Sequence, residues 1–348
     1  MKKNLIFYFL SINLGAQAQV IPIGFMKQIT ASSPTISTSS VSNIGPYSVY
    51  IGGNVISMGA SSIIASGVSY SSSNQSPTIA DNVTTDGATV GTFTSSVVNL
   101  TQGTTYYVRA YATNSEGTAY GNQISFTTYG TVTSPYSGKV WMDRNLGATQ
   151  VATSATDAAS FGDLYQWGRA NDGGALRTAP IVTSQLTDIS IRSTNSINVL
   201  PWTSQLNWNT SSGNITNSYS GASFPNYIVK PWNYADGGPN NPCPNGFRVP
   251  SSAEWMSEVN GMINIGLLTS VVSATINNLT GAFNSFLKIP SGGVNETGST
   301  TVDLTRVYFW TSERYDNSSA SQIRFFSNRT IINANHYRFR YPIRCIAK

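Results

Sequence analysis

Histidine, cysteine and charge are all scarce in this sequence, and each shortage closes off some chemistry. His336 is the sole histidine, so multi-histidine metal centres are excluded and one imidazole is left for general-base work. It lies in Asn333-Ala334-Asn335-His336-Tyr337, a polar stretch that reads as a surface loop. A Ser/His/Asp triad can be drawn in any chain this rich in serine, but there is no Gly-x-Ser-x-Gly elbow. Nor is there a Walker-type phosphate loop, a dinucleotide fingerprint or a Cys/His metal cluster. Charged residues are only 10% of the 348. Ser, Thr, Asn and Gly take their place, as in exported β-rich proteins with polar loops. These shortages favour a protein that binds over one that catalyses.

Long apolar runs are also missing. The N-terminus has Lys2 and Lys3, an apolar stretch over residues 5–14 and Ala16-Gln17-Ala18, the pattern of a secretory signal peptide. Its apolar run falls short of the ~20 residues a membrane-spanning helix needs, and no later stretch could cross a bilayer. The expected mature protein starts near Gln19 and is secreted or held at the cell surface without membrane insertion. Without Lys2 and Lys3 the chain has 18 basic and 15 acidic residues, a net charge of +3. The excess is local, since residues 306–348 hold eight basic and two acidic residues. Cys243 and Cys345 are the only cysteines. In an oxidising compartment they allow one intramolecular bridge; the alternative is two buried free thiols.

All seven tryptophans fall after residue 128, a compositional boundary between two domains. Residues 1–18 are the expected leader and 19–33 a linker. In residues 34–128, Thr105-Tyr106-Tyr107-Val108-Arg109-Ala110-Tyr111-Ala112 alternates. Tyr106, Val108, Ala110 and Ala112 share one face, the pattern of a half-buried strand. The stretch Leu100-Thr101-Gln102-Gly103-Thr104-Thr105-Tyr106 looks like the tyrosine corner of β-sandwich domains. Asn114-Ser115-Glu116-Gly117 makes a tight turn toward Ala119 and Tyr120. With Gly53-Asn54-Val55 and Ser66-Gly67-Val68-Ser69-Tyr70, these features resemble a bacterial fibronectin type III-like sandwich, which implies a spacer.

Residues 129–137 read as a second linker, and residues 138–348 as the second domain. Four spaced motifs mark it: Val140-Trp141-Met142-Asp143-Arg144-Asn145-Leu146-Gly147, Asp163-Leu164-Tyr165-Gln166-Trp167-Gly168, Asn241-Pro242-Cys243-Pro244-Asn245-Gly246-Phe247-Arg248-Val249-Pro250, and Ile343-Arg344-Cys345-Ile346. Together they resemble the Fibrobacter succinogenes major paralogous domain family, secreted modules similar to C-type-lectin-fold proteins. The fold class expected is therefore mostly β: an N-terminal sandwich followed by an α+β, C-type-lectin-like domain. The resemblance makes the motifs scaffold and Cys243–Cys345 a scaffold disulfide. A loop of about 100 residues would gain at most ~4–5 kcal/mol from that bridge.

Ser251 and Glu254 have the spacing of a capping box at a helix start. Trp255, Val259 and Met262 then give that helix an apolar face. A second helix is expected over residues 155–166. Phe247-Arg248-Val249-Pro250-Ser251-Ser252-Ala253-Glu254-Trp255 is also similar to a motif of formylglycine-generating enzymes on the same fold. Those oxidases need a reactive cysteine pair, so an enzyme is the distant alternative. Trp232-Asn233-Tyr234-Ala235-Asp236 with Asn240 and Asn241 offers oxygen ligands for calcium. The sugar-binding lectin triplets Glu-Pro-Asn and Gln-Pro-Asp are absent, so no cofactor is expected and calcium stands as a minor alternative.

Residues 308–341 carry the binding-surface chemistry. Tyr and Arg supply rigid area and directed hydrogen bonds, and Asn and Ser adapt. Alternation assigns Phe325 or Phe326, with Phe339, Tyr341 and Ile343, to the core. Arg324, Arg338 and Arg340 are left to face solvent. The candidate contacts are Trp310, Arg314, Tyr315, Arg324, Asn328, Arg329, Asn335, His336, Tyr337 and Arg338. The expected partner is an extracellular glycan or protein. Nucleic acid is disfavoured because the chain is exported and its arginines are interspersed with Asn, Ser and Ile. Residues 313–341 also resemble the variable segments of lectin-like targets of diversity-generating retroelements, which would make this a diversified protein. A structural surface protein without a specific ligand is the second reading.

Overall fold

A computed structural model describes residues 31–168, 232, 241–271, 275, 277–292, 303–315, 319–336 and 339–348, with His336 described in its backbone alone. The expected leader lies outside the described residues. So do Tyr337, Arg338 and most of the calcium candidates.

The first half builds eight strands: β1 Thr35–Thr38, β2 Val49–Ser57, β3 Ala65–Ser71, β4 Asn82–Val83, β5 Gly91–Val97, β6 Thr105–Asn114, β7 Gly117–Tyr120 and β8 Ile124–Thr127. One sheet runs β1-β2-β5, and the other runs β4-β3-β6 with β7 and β8 both on the far side of β6. All pairs are antiparallel. This is a fibronectin type III-like sandwich, its last strand split into β7 and β8. The alternation in β6 holds: Tyr106, Val108, Ala110 and Ala112 enter a core with Val49, Ile51, Val55, Val68, Val97 and Phe126. Tyr111, on the opposite face, is buried too, and its hydroxyl donates to Thr84 O at 2.7 Å. The corner forms as expected, with Thr101 N–H donating to Tyr106 Oη at 3.0 Å. Asn114 pairs with Gly117 across the β6–β7 turn, where Gly117 takes a φ of 140°.

The segment expected as a linker belongs to the structure instead. Tyr129 is buried among the residues of the second half, and β9 Thr131–Thr133 pairs with β10 Val140–Met142. Tyr129 N–H donates to Gly45 O at 3.2 Å, and Gly103 N–H to Tyr129 O at 3.1 Å. Ile44 packs against the cores of both halves. A Cβ on Gly45 would lie 2.9 Å from Pro244 Cβ, so the residue beside Cys243 seats on the sandwich.

The second half continues with β11 Tyr165–Gln166, β12 Phe247–Arg248, α1 Ser252–Asn264, α2 Asn278–Asn284, β13 Arg306–Arg314, β14 Ser319–Phe326, β15 Thr330–His336, β16 Arg340–Tyr341 and β17 Ile346–Ala347. A four-stranded sheet has the order β12-β17-β10-β9, a ribbon pairs β11 with β16, and β13-β14-β15 form an antiparallel meander. The capping box of α1 is complete, and Trp255, Val259 and Met262 are buried. The expected helix at 155–166 shrinks to a single 3-10 turn, Ala158–Ser160, capped by Asp157. Gly162 ends it at a φ of 68°, and the chain then turns to pair with β16.

β13 is buried on both faces. Val307 and Phe309 join Trp255, Val259, Met262, Ile323 and Phe325 on the helix side. Tyr308 and Trp310 join Met142, Trp167, Phe247, Tyr341, Ile343 and Cys345 on the other. Cys243 and Cys345 form a disulfide, their Cα atoms 6.0 Å apart. No described helix is long and apolar enough to cross a membrane.

Candidate binding surface

The spaced motifs turn inward and lock one another. Arg144 makes a bidentate pair with Asp143, at 2.8 and 2.9 Å, and its guanidinium carbon lies 5.4 Å from the Tyr129 ring centroid. Tyr129 Oη accepts from Gly147 N–H at 2.8 Å, and burial pushes its pKa up to about 12. Gly147 adopts a φ of 84°, and any Cβ there would meet Asp163 Oδ2 at 2.2 Å. Asn145 donates to Phe161 O at 3.2 Å and accepts from Arg344 Nε at 3.0 Å. Arg344 also donates to Met142 O and Leu287 O at 3.3 and 2.7 Å. Burial lowers its pKa to about 9, which leaves it charged at neutral pH.

The third motif uses its polar groups in the same way. Asn241 spends its amide on the turn, donating to Phe247 O at 2.8 Å and accepting from Cys243 N–H at 3.3 Å. Arg248 and Glu254 pair at 2.7 and 2.8 Å. Burial would raise the Glu254 pKa, but the Arg248 and Ser251 hydrogen bonds outweigh it and hold it below the usual range. Glu258 on α1 is fully buried and accepts from Ser134, Ser137 and the Trp141 indole.

The meander decides which candidate contacts reach solvent. Arg314 and Tyr315 sit at the β13–β14 turn, and Tyr315 is 69% exposed. His336 pairs in register with Ser319 at the same end. Asn328 and Arg329 are exposed in the β14–β15 turn, at the opposite end. The eight residues of β14 separate the two ends by roughly 24 Å, at ~3.4 Å per residue. The sequence reads as one strip; the structure makes two groups.

Two expectations fail. Trp310 is fully buried, its indole N–H donating to Tyr165 O at 2.8 Å, so it belongs to the core. Arg340 does not face solvent: it is 1% exposed and its Nε donates to Leu164 O. Asn335 is half-buried and donates to Tyr341 Oη at 2.5 Å. Arg324 is half-buried, its guanidinium carbon 4.9 Å from the Tyr308 ring centroid. Of the predicted core positions, Phe325, Phe339, Tyr341 and Ile343 are buried.

Arg306 lies just outside the stretch singled out in the sequence, and Tyr308 and Phe326 lie within it but are not among the candidate contacts. Arg306 faces Phe326 across the ladder, and Tyr308 faces Arg324. Arg306 lies 5.5 Å from the Tyr308 centroid and Arg329 lies 5.6 Å from that of Phe326. Alternation within β13 puts Arg306 and Tyr308 on one face; strand register, which no single segment reveals, brings Arg324 and Phe326 beside them. Among the described residues, no group of three or more His, Cys, Asp or Glu converges as a metal site.

A family model described as the Fibrobacter succinogenes major domain matches residues 82–347. No curated protein matches the chain. Among solved structures, the sensor domain of the anti-sigma factor RsgI4 in Pseudobacteroides cellulosolvens is 16% identical. That match covers 28% of this chain and 97% of that one, with a TM-score of 0.22. The fibronectin type-III domain of human fibronectin type III domain containing protein 3 is 20% identical over 28% of this chain and 89% of that one, TM-score 0.21. Titin domains A168-A170 are 24% identical over 28% of this chain and 31% of that one, TM-score 0.20.

Proposed function

This chain belongs to the Fibrobacter succinogenes major domain family, and from that membership we propose that it is an exported, non-enzymatic binding protein. In this reading the second half has a C-type-lectin-like arrangement, and the exposed ends of its meander recognise a glycan or protein outside the cell. One observation carries the reading. Motif residues Arg144, Asn145 and Arg344 are buried and Asp143 is half-buried, with Arg144 bonded to Asp143 and Arg344 to Asn145, whereas Arg314, Tyr315, Asn328 and Arg329 are exposed at the ends of the meander. Scaffold and surface are thus carried by different residues, so the surface can change without unfolding the domain. Both sulfurs are tied in a disulfide, which argues against the reactive cysteine pair of the lectin-fold oxidases. In a stronger form of the reading, the exposed turn positions vary between gene copies while core residues such as Ile323 and Phe325 stay fixed.

The test is an array of glycans and cell-surface proteins probed with the full mature chain, then with Arg314→Ala, Tyr315→Ala, Asn328→Ala and Arg329→Ala. Loss of a surface anchor costs about 2 kcal/mol, or roughly 30-fold in affinity. A specific signal weakened by at least one of these folded variants is the expected result. No signal on either array, or a signal indifferent to all four changes, would overturn the proposal.

A further inference from the structure

We propose that Asn245 is a self-modification site, where its amide converts to isoaspartate and loosens the seat of the second half on the sandwich. This goes beyond ligand binding and does not depend on it. The sequence has two Asn-Gly pairs, Asn245-Gly246 and Asn260-Gly261. Glycine has no side chain to shield its nitrogen or restrict its backbone, so this dipeptide is the one most open to ring closure. The structure sets the two pairs apart. Asn245 and Gly246 are both exposed, in a turn closed by Phe247 N–H donating to Pro244 O at 3.0 Å. Gly246 takes a φ of 83°, as the third residue of a type II turn requires. A Cβ added there would meet nothing within 4 Å, and no described group accepts from the Gly246 N–H. Gly261 lies inside α1, where its N–H belongs to the helix ladder. Tyr136 packs on it so closely that an added Cβ would stand 2.2 Å from the ring.

The chemistry needs only water and this chain. The Gly246 nitrogen attacks Asn245 Cγ, the Cγ–Nδ2 bond breaks, and ammonia leaves with the proton that the Gly246 N–H gives up. Water then opens the cyclic imide. Cleavage at Cγ gives aspartate, whereas cleavage at the main-chain carbonyl gives isoaspartate and adds one methylene to the backbone. That methylene has few places to go. Cys243 is held by its disulfide to Cys345, and Phe247 by its pairing with Ala347. Pro244, Asn245 and Gly246 must therefore absorb the longer backbone, and two of them touch the sandwich. Asn245 Nδ2 donates to Tyr50 Oη at 3.3 Å, and Pro244 Cβ would lie 2.9 Å from a Cβ added at Gly45. The junction between the halves is the contact that loosens.

The experiment ages the folded full chain in heavy-oxygen water at neutral and mildly alkaline pH, then maps its peptides by mass spectrometry with fragmentation that tells isoaspartate from aspartate. Isoaspartate carrying one heavy oxygen should accumulate at residue 245, faster at the higher pH because the attacking amide must lose its proton. Asn260 should react at least ~10-fold more slowly, since attack there needs the helix opened first. Calorimetry of fresh and aged samples reads the consequence. Aged wild type should melt below fresh wild type and below fresh Asn245→Asp, which carries the charge without the methylene. Asn245→Gln, whose longer side chain closes the ring poorly, should melt alike before and after ageing, whatever its own starting value. An intact Asn245 under conditions that convert the free peptide 241–250 would overturn the proposal. So would equal rates at residues 245 and 260, an aged protein that melts no lower than Asn245→Asp, or an equal ageing loss in Asn245→Gln.

Discussion

Arg344 reaches across 199 positions of sequence to Asn145, its Nε donating to the amide oxygen at 3.0 Å. The first and last motifs of the second half are thereby one structural unit. Met142 N–H donates to Cys345 O and Leu146 N–H to Ile343 O, both at 2.9 Å, which holds the two segments side by side. A buried guanidinium needs oxygen acceptors in place of water, and Asn145, Met142 and Leu287 provide them.

Asn145→Ala should therefore destabilise the protein by about 1.5–3 kcal/mol, since it removes an acceptor from a buried cation. Arg344→Met should cost less than this loss would suggest, because it removes the charge along with its partner requirement. Urea unfolding at neutral pH checks both, and equal midpoints for wild type and Asn145→Ala would refute the argument.

Intact mass of the protein expressed under oxidising conditions, before and after reduction, should show no free thiol and a gain of two alkylation sites on reduction. Cys345→Ser should lower the stability of the second half by up to ~4–5 kcal/mol, given the separation of 102 residues. The sandwich should keep its fold, as its core is formed by residues 36–126.

Glu254 supplies a pH dependence whose sign is fixed by its depressed pKa. Its stabilising effect is present above the ordinary carboxylate range and is lost as pH falls through the lower folded value. Glu254→Gln should lower the urea midpoint at pH 7 and flatten the fall between about pH 5 and pH 3. An acid profile of Glu254→Gln parallel to wild type would count against this assignment.

A chain started at residue 138 should melt well below the full protein, because it lacks β9, Tyr129 and the Ile44–Gly45 seat. Starting at residue 129 should restore part of the difference and leave the Gly45 contact missing. Gly45→Val, whose branch would press into Pro244, should reproduce that remaining loss. Differential scanning calorimetry of the three proteins checks the order.

Local patterns in the sequence were enough for the elements whose signals are local. The alternation of β6, the Tyr106 corner and the Ser251–Glu254 cap each depend on residues within a few positions of one another. The disulfide was legible for a related reason: two cysteines in one chain have one intramolecular partner each. Register and depth were not legible. Trp310 and Arg340 have the composition of a binding surface, yet neighbouring segments far away in sequence cover them. Tyr315 and Arg329 lie in one stretch of sequence but at opposite ends of a sheet, because a meander reverses the chain between them. Arg306 and Tyr308 met Phe326 and Arg324 through cross-strand pairing alone. Composition determined what this chain could bury and what it could bind with; only the tertiary structure decided which arginines became scaffold and which face solvent, because burial depends on what packs over a residue and not on its own side chain.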